Sequence, residues 1–256
     1  MLSIQHLDKS FGGVHATKDV SIDFPAGSLT AIIGPNGAGK TTFFNLISGA
    51  FRPDSGKVMF DGHDIVGKSC VEVVRLGMAR AFQVAALFPS LTVSQALTAA
   101  VTSHQRRSWT LLKRFPLAEA TESVEEIIEL LGLQHKAHVL SRNLSHGDQK
   151  LLDIGLSLAM KPKVLLLDEP TAGMGPDERW RMIDKVQDLW RTKKMTVLFI
   201  EHDMDIVFKI AQKIYVLKYG AVLAQGSADE VRSNQDVIDA YLGTDHHLAQ
   251  AAGEKS

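Results

Sequence analysis

Nine residues, GPNGAGKTT, run from Gly34 to Thr42 and match the pattern G-x-x-x-x-G-K-[ST]. Gly34, Gly37 and Gly39, with Pro35, Asn36 and Ala38 between them, let consecutive backbone N–H groups turn inward as a nest for phosphate oxygens. Lys40 adds a positive charge for the terminal phosphates, and the Thr41 hydroxyl is a candidate ligand for Mg²⁺. Thr42 continues into an apolar, helix-spaced segment whose N-terminus favours anions.

VLLLDEP, from Val164 to Pro170, supplies a second element of the same chemistry. Four apolar residues bury a strand, and Asp168 emerges at its C-terminal end, where open parallel sheets bind ligands. Asp168 is a candidate Mg²⁺ ligand, directly or through water. Glu169 is a candidate general base for an attacking water. Read alone, the pair would be an acidic cap after a core strand; beside a phosphate loop it is a catalytic pair. His202 ends another buried strand in FIEHD and is expected at the same sheet edge, in reach of a terminal phosphate. Gln83, in ARAFQ, stands where sheet-like sequence gives way to helical sequence and could touch Mg²⁺ or water. Phe11, in KSFGG, has the open Gly-Gly context of a base-stacking platform. Ser145 in LSHGDQK precedes a glycine, Gly147, and an apolar helix, so it reads as an N-cap beside free helix N–H groups. Such an anion site is surplus in a chain that already has a phosphate loop, and it makes sense if it serves the nucleotide of another subunit.

The elements that must hold these residues are legible from periodicity. MLSIQHL, VSIDF and KVMFDGHDI alternate in the β manner, and SLTAIIG is a short buried strand running into the phosphate loop. LTVSQALTAAV and ESVEEIIELLGL are helical, the second closing at Gly132. The last third alternates strand and helix and includes a hairpin turning at Tyr219-Gly220. Alternating buried strands and helices predict a parallel sheet covered on both faces. RRSWTLLKRFP reads as a connecting loop. His246 and His247 lack the company of a metal site.

With 256 residues, 45% hydrophobic and 22% charged, the chain has ordinary globular composition. A formal net charge of −1 gives no bulk attraction for nucleic acid. Cys70 is the single cysteine, which fits an intracellular protein, and no apolar run approaches the roughly 20 residues of a membrane span.

Phe11, GPNGAGKTT, Gln83, LSHGDQK, VLLLDEP and His202 occur in the order and spacing of an ATP-binding cassette (ABC) nucleotide-binding subunit, and the chain resembles that family over nearly its whole length. FNLISGAFRPDSG, ARAFQ, DEPTAGM, IEHDM and QDVIDAYLG resemble, more narrowly, the ATPase subunits of branched-chain amino-acid importers. The resemblance implies an α/β P-loop NTPase with a RecA-like, mostly parallel sheet core, an N-terminal antiparallel β subdomain and an α-helical subdomain. One ABC ATPase domain would span 1–243, with the helical subdomain inserted at about 84–160 and a polar tail over 244–256. It further implies a head-to-tail dimer holding two ATP molecules: Phe11 stacking on adenine, Gly34 to Thr42 on the phosphates, and Thr41, Gln83 and Asp168 on Mg²⁺. Glu169 would polarise water, His202 would meet the γ-phosphate, and Ser145 and Gly147 would cap ATP held by the opposite subunit. Implied partners are transmembrane permease subunits, a second homologous ATPase subunit in preference to a second copy, and indirectly a solute-binding protein, at the cytoplasmic face of the inner (plasma) membrane. Importers of other small solutes use similar subunits. The alternative is a soluble, non-transport ABC ATPase of DNA repair or ribosomes; a P-loop kinase would need an acceptor site. Two departures stand out: His146 and Asp148 replace a Gly and the Gln of the usual Leu-Ser-Gly-Gly-Gln, and Gly175 stands where Asp or Asn is usual. The first predicts a slightly altered affinity, and the second puts communication across the dimer in doubt.

Overall fold

The computed structural model describes residues 2–81, 88–104 and 118–241. They fall into two compact units, one reaching up to Cys70 and resuming at Thr196, the other Val71–Met195.

The first unit carries two sheets. β1 (Leu2–Phe11), β2 (Val14–Phe24), β4 (Ser55–Phe60) and β5 (His63–Asp64) form an antiparallel sheet in the order β2-β1-β4-β5. Val20, Ile22 and Phe24 are buried and alternate with exposed neighbours, as a half-buried strand requires. The register slips where His6 and Asp19 take φ near +50°. In the second sheet, β3 (Leu29–Ile33) lies between β8 (Thr196–Ile200) and β9 (Lys213–Lys218), parallel to both. All five residues of β3 and of β8 are buried, so both read as continuous apolar runs. β10 (Ala221–Gly226) returns antiparallel to β9 through Tyr219 and Gly220, both at positive φ, the geometry of a two-residue hairpin turn. Helix α1 (Lys40–Ile47) follows β3, α7 (Met204–Ile210) is capped by Asp203, and α8 (Ala228–Ser233) opens on a capping box between Ser227 and Glu230. A last helical stretch covers 235–241.

The second unit contains α2 (Cys70–Leu76) from its second residue on, β6 (Met78–Ala81), α3 (Val93–His104), α4 (Ala118–Leu131), α5 (His146–Leu158), β7 (Val164–Asp168) and α6 (Pro176–Lys193). β6 and β7 pair in parallel, Arg80 opposite Leu166. Thr92 and Gln95 cap α3 reciprocally. Gly155 of α5 sits where α3 and α4 meet it: a Cβ there would lie 2.7 Å from Leu131 Cδ1 and 3.1 Å from Leu97 Cδ2. Gly132, at φ +73°, ends α4 as expected. The described residues within 84–160, expected as a helical subdomain, belong to this unit, which also takes in β6 and β7. α2 and β6 were not anticipated: MARA has no β-branched residue and takes its strand form from pairing with β7. The basic segment near Trp109 and the tail after Tyr241 lie outside the described residues. Among the described residues no helix is long and apolar enough to cross a membrane.

Two stability measurements follow from this packing. Ile32, fully buried in β3, should cost about 2–5 kcal/mol when changed to Ala in urea unfolding, whereas Val14, 69% exposed, should cost under about 0.5 kcal/mol. Burial pushes the Tyr241 hydroxyl up to about 12 against an ordinary value of 10.0, although a backbone hydrogen bond with Gly34 pulls the other way. The folded state therefore holds this proton after the unfolded chain has lost it. Below pH 10 the contribution is intact; between 10 and about 12 it is lost as the unfolded chain ionises. Relative to Tyr241→Phe, the parent chain should lose stability across that window, and parallel pH curves would contradict it.

Candidate active site

In the first unit, Gly34 leaves the end of β3 and the loop runs to Lys40, the first residue of α1. The loop is clamped from two sides. A Cβ on Gly34 would lie 2.1 Å from the Leu217 carbonyl oxygen of β9, and one on Gly39 would lie 2.0 Å from that of Ala16 in β2. Both glycines have positive φ, +150° and +100°, so sterics and backbone conformation exclude other residues together. The Gly220 N–H donates to the Ala38 carbonyl at 3.1 Å and fixes the loop to the hairpin turn. Gly39 is the N-cap of α1 and offers no side-chain acceptor, so no capping side chain competes for the first amides of the helix. Lys40 is buried and folds back, its Nζ donating to the carbonyls of Gly34 at 2.7 Å and Pro35 at 3.1 Å. Its ammonium is thus held over the loop. A cradle of backbone donors with a lysine above it can bind a chain of phosphates.

His202 is brought to the same edge. Ile200 pairs with Ile32, so His202 and Gly34 each lie two residues beyond the paired positions on adjacent parallel strands. The backbone N–H of His202 donates to the carboxylate of buried Glu201 at 3.2 Å, which fixes the start of this turn. Phe11 ends β1 with 46% exposure, its ring edge-on to Phe51 at 5.6 Å between centroids and Lys9 Nζ 5.3 Å from its centroid. It is an exposed, braced aromatic surface. Thr41 is exposed at the first turn of α1.

The second unit holds the other candidates. Asp168 ends β7 and is buried; its Oδ2 accepts from Arg80 at 2.6 Å, while its Oδ1 is buried without a hydrogen-bond partner. A crevice of about 20 Å³ beside it, lined by Lys150, Asp153, Leu167 and Pro170 among others, has room for a single water. Glu169 follows at φ +49°, a strained conformation for a side chain of this size. Lys150 steadies it: its buried ammonium donates to the carbonyls of Glu169 at 2.8 Å and Ala172 at 2.9 Å. The helix that begins at Ser145 is therefore tied to the turn carrying Glu169.

Ser145 is the N-cap of α5, its Oγ accepting from the Asp148 amide at 3.2 Å. The same hydroxyl donates to Asp148 Oδ2 at 2.6 Å, and Lys136 pairs with that carboxylate. The helix N-terminus is therefore less open than the sequence suggests, since one amide and the serine proton are already engaged. Gly147 is buried because Glu178 packs over it; a Cβ would lie 2.2 Å from Glu178 Oε1. Gly175 is the N-cap of α6 with no side-chain bond, and nothing lies within 4 Å of where its Cβ would be. Gln83 lies outside the described residues.

Arg80, Lys136 and Lys150 had no assigned role in the sequence reading. No motif reports them, because lysine and arginine in helices and short strands usually face water.

The fit of Mg²⁺ rests on Asp168. Magnesium takes hard oxygen donors, typically one or two carboxylates with phosphate oxygens and water. A buried carboxylate oxygen without a partner is such a donor. Among the described residues no cluster of three or more His, Cys, Asp or Glu could hold a metal by itself.

The family models for "ABC transporter" and "Branched-chain amino acid ATP-binding cassette transporter" match residues 17–172 and 221–247. The probable branched-chain amino acid transport ATP-binding protein LivG of Archaeoglobus fulgidus is 39% identical over 95% of this chain and 95% of its own length. The high-affinity LivG of Escherichia coli K12 is 35% identical over 95% and 98%. Among solved structures, a nucleotide-free ATP-binding cassette from an ABC transporter aligns with TM-score 0.82 and 32% identity over 94% of this chain and 98% of its own. The ADP conformation of such a cassette aligns with TM-score 0.82 and 34% identity over 95% and 98%. With a clamped phosphate loop and a fold shared over nearly the whole chain, the protein belongs to the ABC transporter family, in the group of branched-chain amino acid transport ATP-binding proteins, and is a nucleotide-binding ATPase subunit.

Proposed function

We propose that this ATPase subunit drives the uptake of branched-chain amino acids through membrane-embedded permease subunits, working at the cytoplasmic face of the membrane. The observation that supports it most is the pre-organised phosphate loop, with Lys40 folded over it, in a chain that matches a LivG relative over 95% of its length. The working unit is a head-to-tail dimer with a second, homologous ATPase subunit, and a solute-binding protein delivers the amino acid.

In this reading the amides of Gly34 to Thr42 and Lys40 hold the ATP phosphates, and Phe11 stacks on adenine. Thr41, Asp168 and Gln83 hold Mg²⁺, which neutralises charge on the phosphate oxygens when bound. Glu169 accepts a proton from the attacking water, and Lys150 fixes the backbone from which its carboxylate projects. His202 donates to the γ-phosphate from its place beside the loop. Ser145 and the Gly147 amide meet the γ-phosphate of ATP held by the partner, so hydrolysis removes the bridge and the dimer opens.

Glu169→Gln should leave ATP binding intact and lower steady-state hydrolysis by at least about 100-fold. Hydrolysis at the parent rate would remove Glu169 from the mechanism. Reconstitution with permease subunits and binding protein in vesicles should give ATP-dependent leucine uptake that this variant abolishes. Asp148 should restrain closure, because it engages the Ser145 hydroxyl and sets a carboxylate near an incoming phosphate. Asp148→Gln should strengthen ATP-dependent association by about 1 kcal/mol, roughly fivefold. Sedimentation in the Glu169→Gln background measures this, and weaker association would contradict it.

A further inference from the structure

We propose that Arg80 is the positioning residue for Asp168, fixing the carboxylate so that one oxygen is presented to the nucleotide-bound Mg²⁺. The inference rests on the reading of Asp168 as a metal ligand.

Arg80 pairs with Leu166 across the parallel β6–β7 ladder. Leu166 and Asp168 are two residues apart, so they share a face, about 6.6 Å apart along the strand. An arginine side chain spans that offset, and its Nη2 reaches Asp168 Oδ2 at 2.6 Å. Both groups are withdrawn from water, with side-chain exposures of 10% and 2%. At such depth each charge requires the other, because a lone buried ion is strongly unfavourable.

The asymmetry of the pair points beyond charge compensation. A guanidinium can hold both oxygens of a carboxylate in parallel, the arrangement favoured where two buried ions serve only each other. Here Oδ1 has no hydrogen-bond partner and is fully buried. It sits at the C-terminal end of β7, the sheet edge where parallel sheets bind ligands. Anchoring Oδ2 fixes the side-chain rotamer and leaves Oδ1 directed one way. Groups that hold a metal's carboxylate ligand by its second oxygen act in this manner, and their removal weakens metal affinity without touching the metal. Four-residue β6 would then serve to place Arg80 at the right offset.

Calorimetric titration of ATP into the full chain, in Mg²⁺ and in EDTA, tests this with Arg80→Met, Arg80→Lys and Asp168→Asn. The readout is the ratio of the two affinities, which a purely structural role would not move. Arg80→Met should lower that ratio by about 10-fold or more, with binding in EDTA as in the parent. Arg80→Lys keeps the charge but loses the planar fork and should fall between the two. A parent-like ratio in Arg80→Met, or equal losses in Mg²⁺ and EDTA, would overturn the proposal. If Arg80→Met does not fold, a parent-like ratio in Arg80→Lys overturns it. Asp168→Asn separates the two readings: if it keeps the parent's ratio, Asp168 is not the metal ligand, and the assignment of Arg80 falls with it.

Discussion

A run of backbone amides left open to receive phosphate is unstable unless the surrounding chain holds it in place. Gly34 and Gly39 meet that requirement by admitting the carbonyls of Leu217 and Ala16 to about 2 Å from where a Cβ would stand. No side chain could be tolerated there, and each approach fixes the loop against a different strand. The rest of the first unit serves this clamp. β3 is buried on both faces between β8 and β9, so the point where the loop begins cannot shift. The hairpin of β9 and β10 delivers Gly220 to the loop, and Tyr241 adds a hydrogen bond at its first residue. Lys40 completes the arrangement by bonding the carbonyls at the loop's start, which holds its charge in place.

The second unit organises buried charge around the end of β7. Arg80 neutralises Asp168, and Lys150 bonds the carbonyls of the turn that follows. A lysine rarely stays buried unless its donors are used, and here they hold Glu169 in a strained conformation. Since Lys150 belongs to the helix that Ser145 caps, a shift of that helix bears on the Glu169 turn. Ser145 bonds Asp148, which Lys136 also pairs with, so the serine hydroxyl must change partners to meet a phosphate. The substitution of Asp for the usual Gln thus acts through a specific bond as well as through charge.

Much of this was legible in the sequence because the responsible interactions are local. Periodicity located β3, β7, β8 and the α3 to α6 helices; Tyr219-Gly220 gave the hairpin; Ser145 gave a cap; and Gly132 gave a helix end. The β6 strand was missed because four residues without β-branching acquire their form only by pairing. The expectation of a freely open helix N-terminus at Ser145 was revised because the competing acceptor, Asp148, comes with a lysine from a separate segment.

Local spacing sets the chemistry: a phosphate loop, an acidic pair after a buried strand, and a histidine at a strand end, each a given residue type at a given short interval. How those groups are held depends on contacts made in the folded chain. The carbonyls of Ala16 and Leu217 against the loop, Arg80 on Asp168 and Lys150 on Glu169 join positions far apart along the chain. Their pairing depends on strand register and on burial that makes each charge require its neighbour, and neither is written in the spacing of residues along one segment.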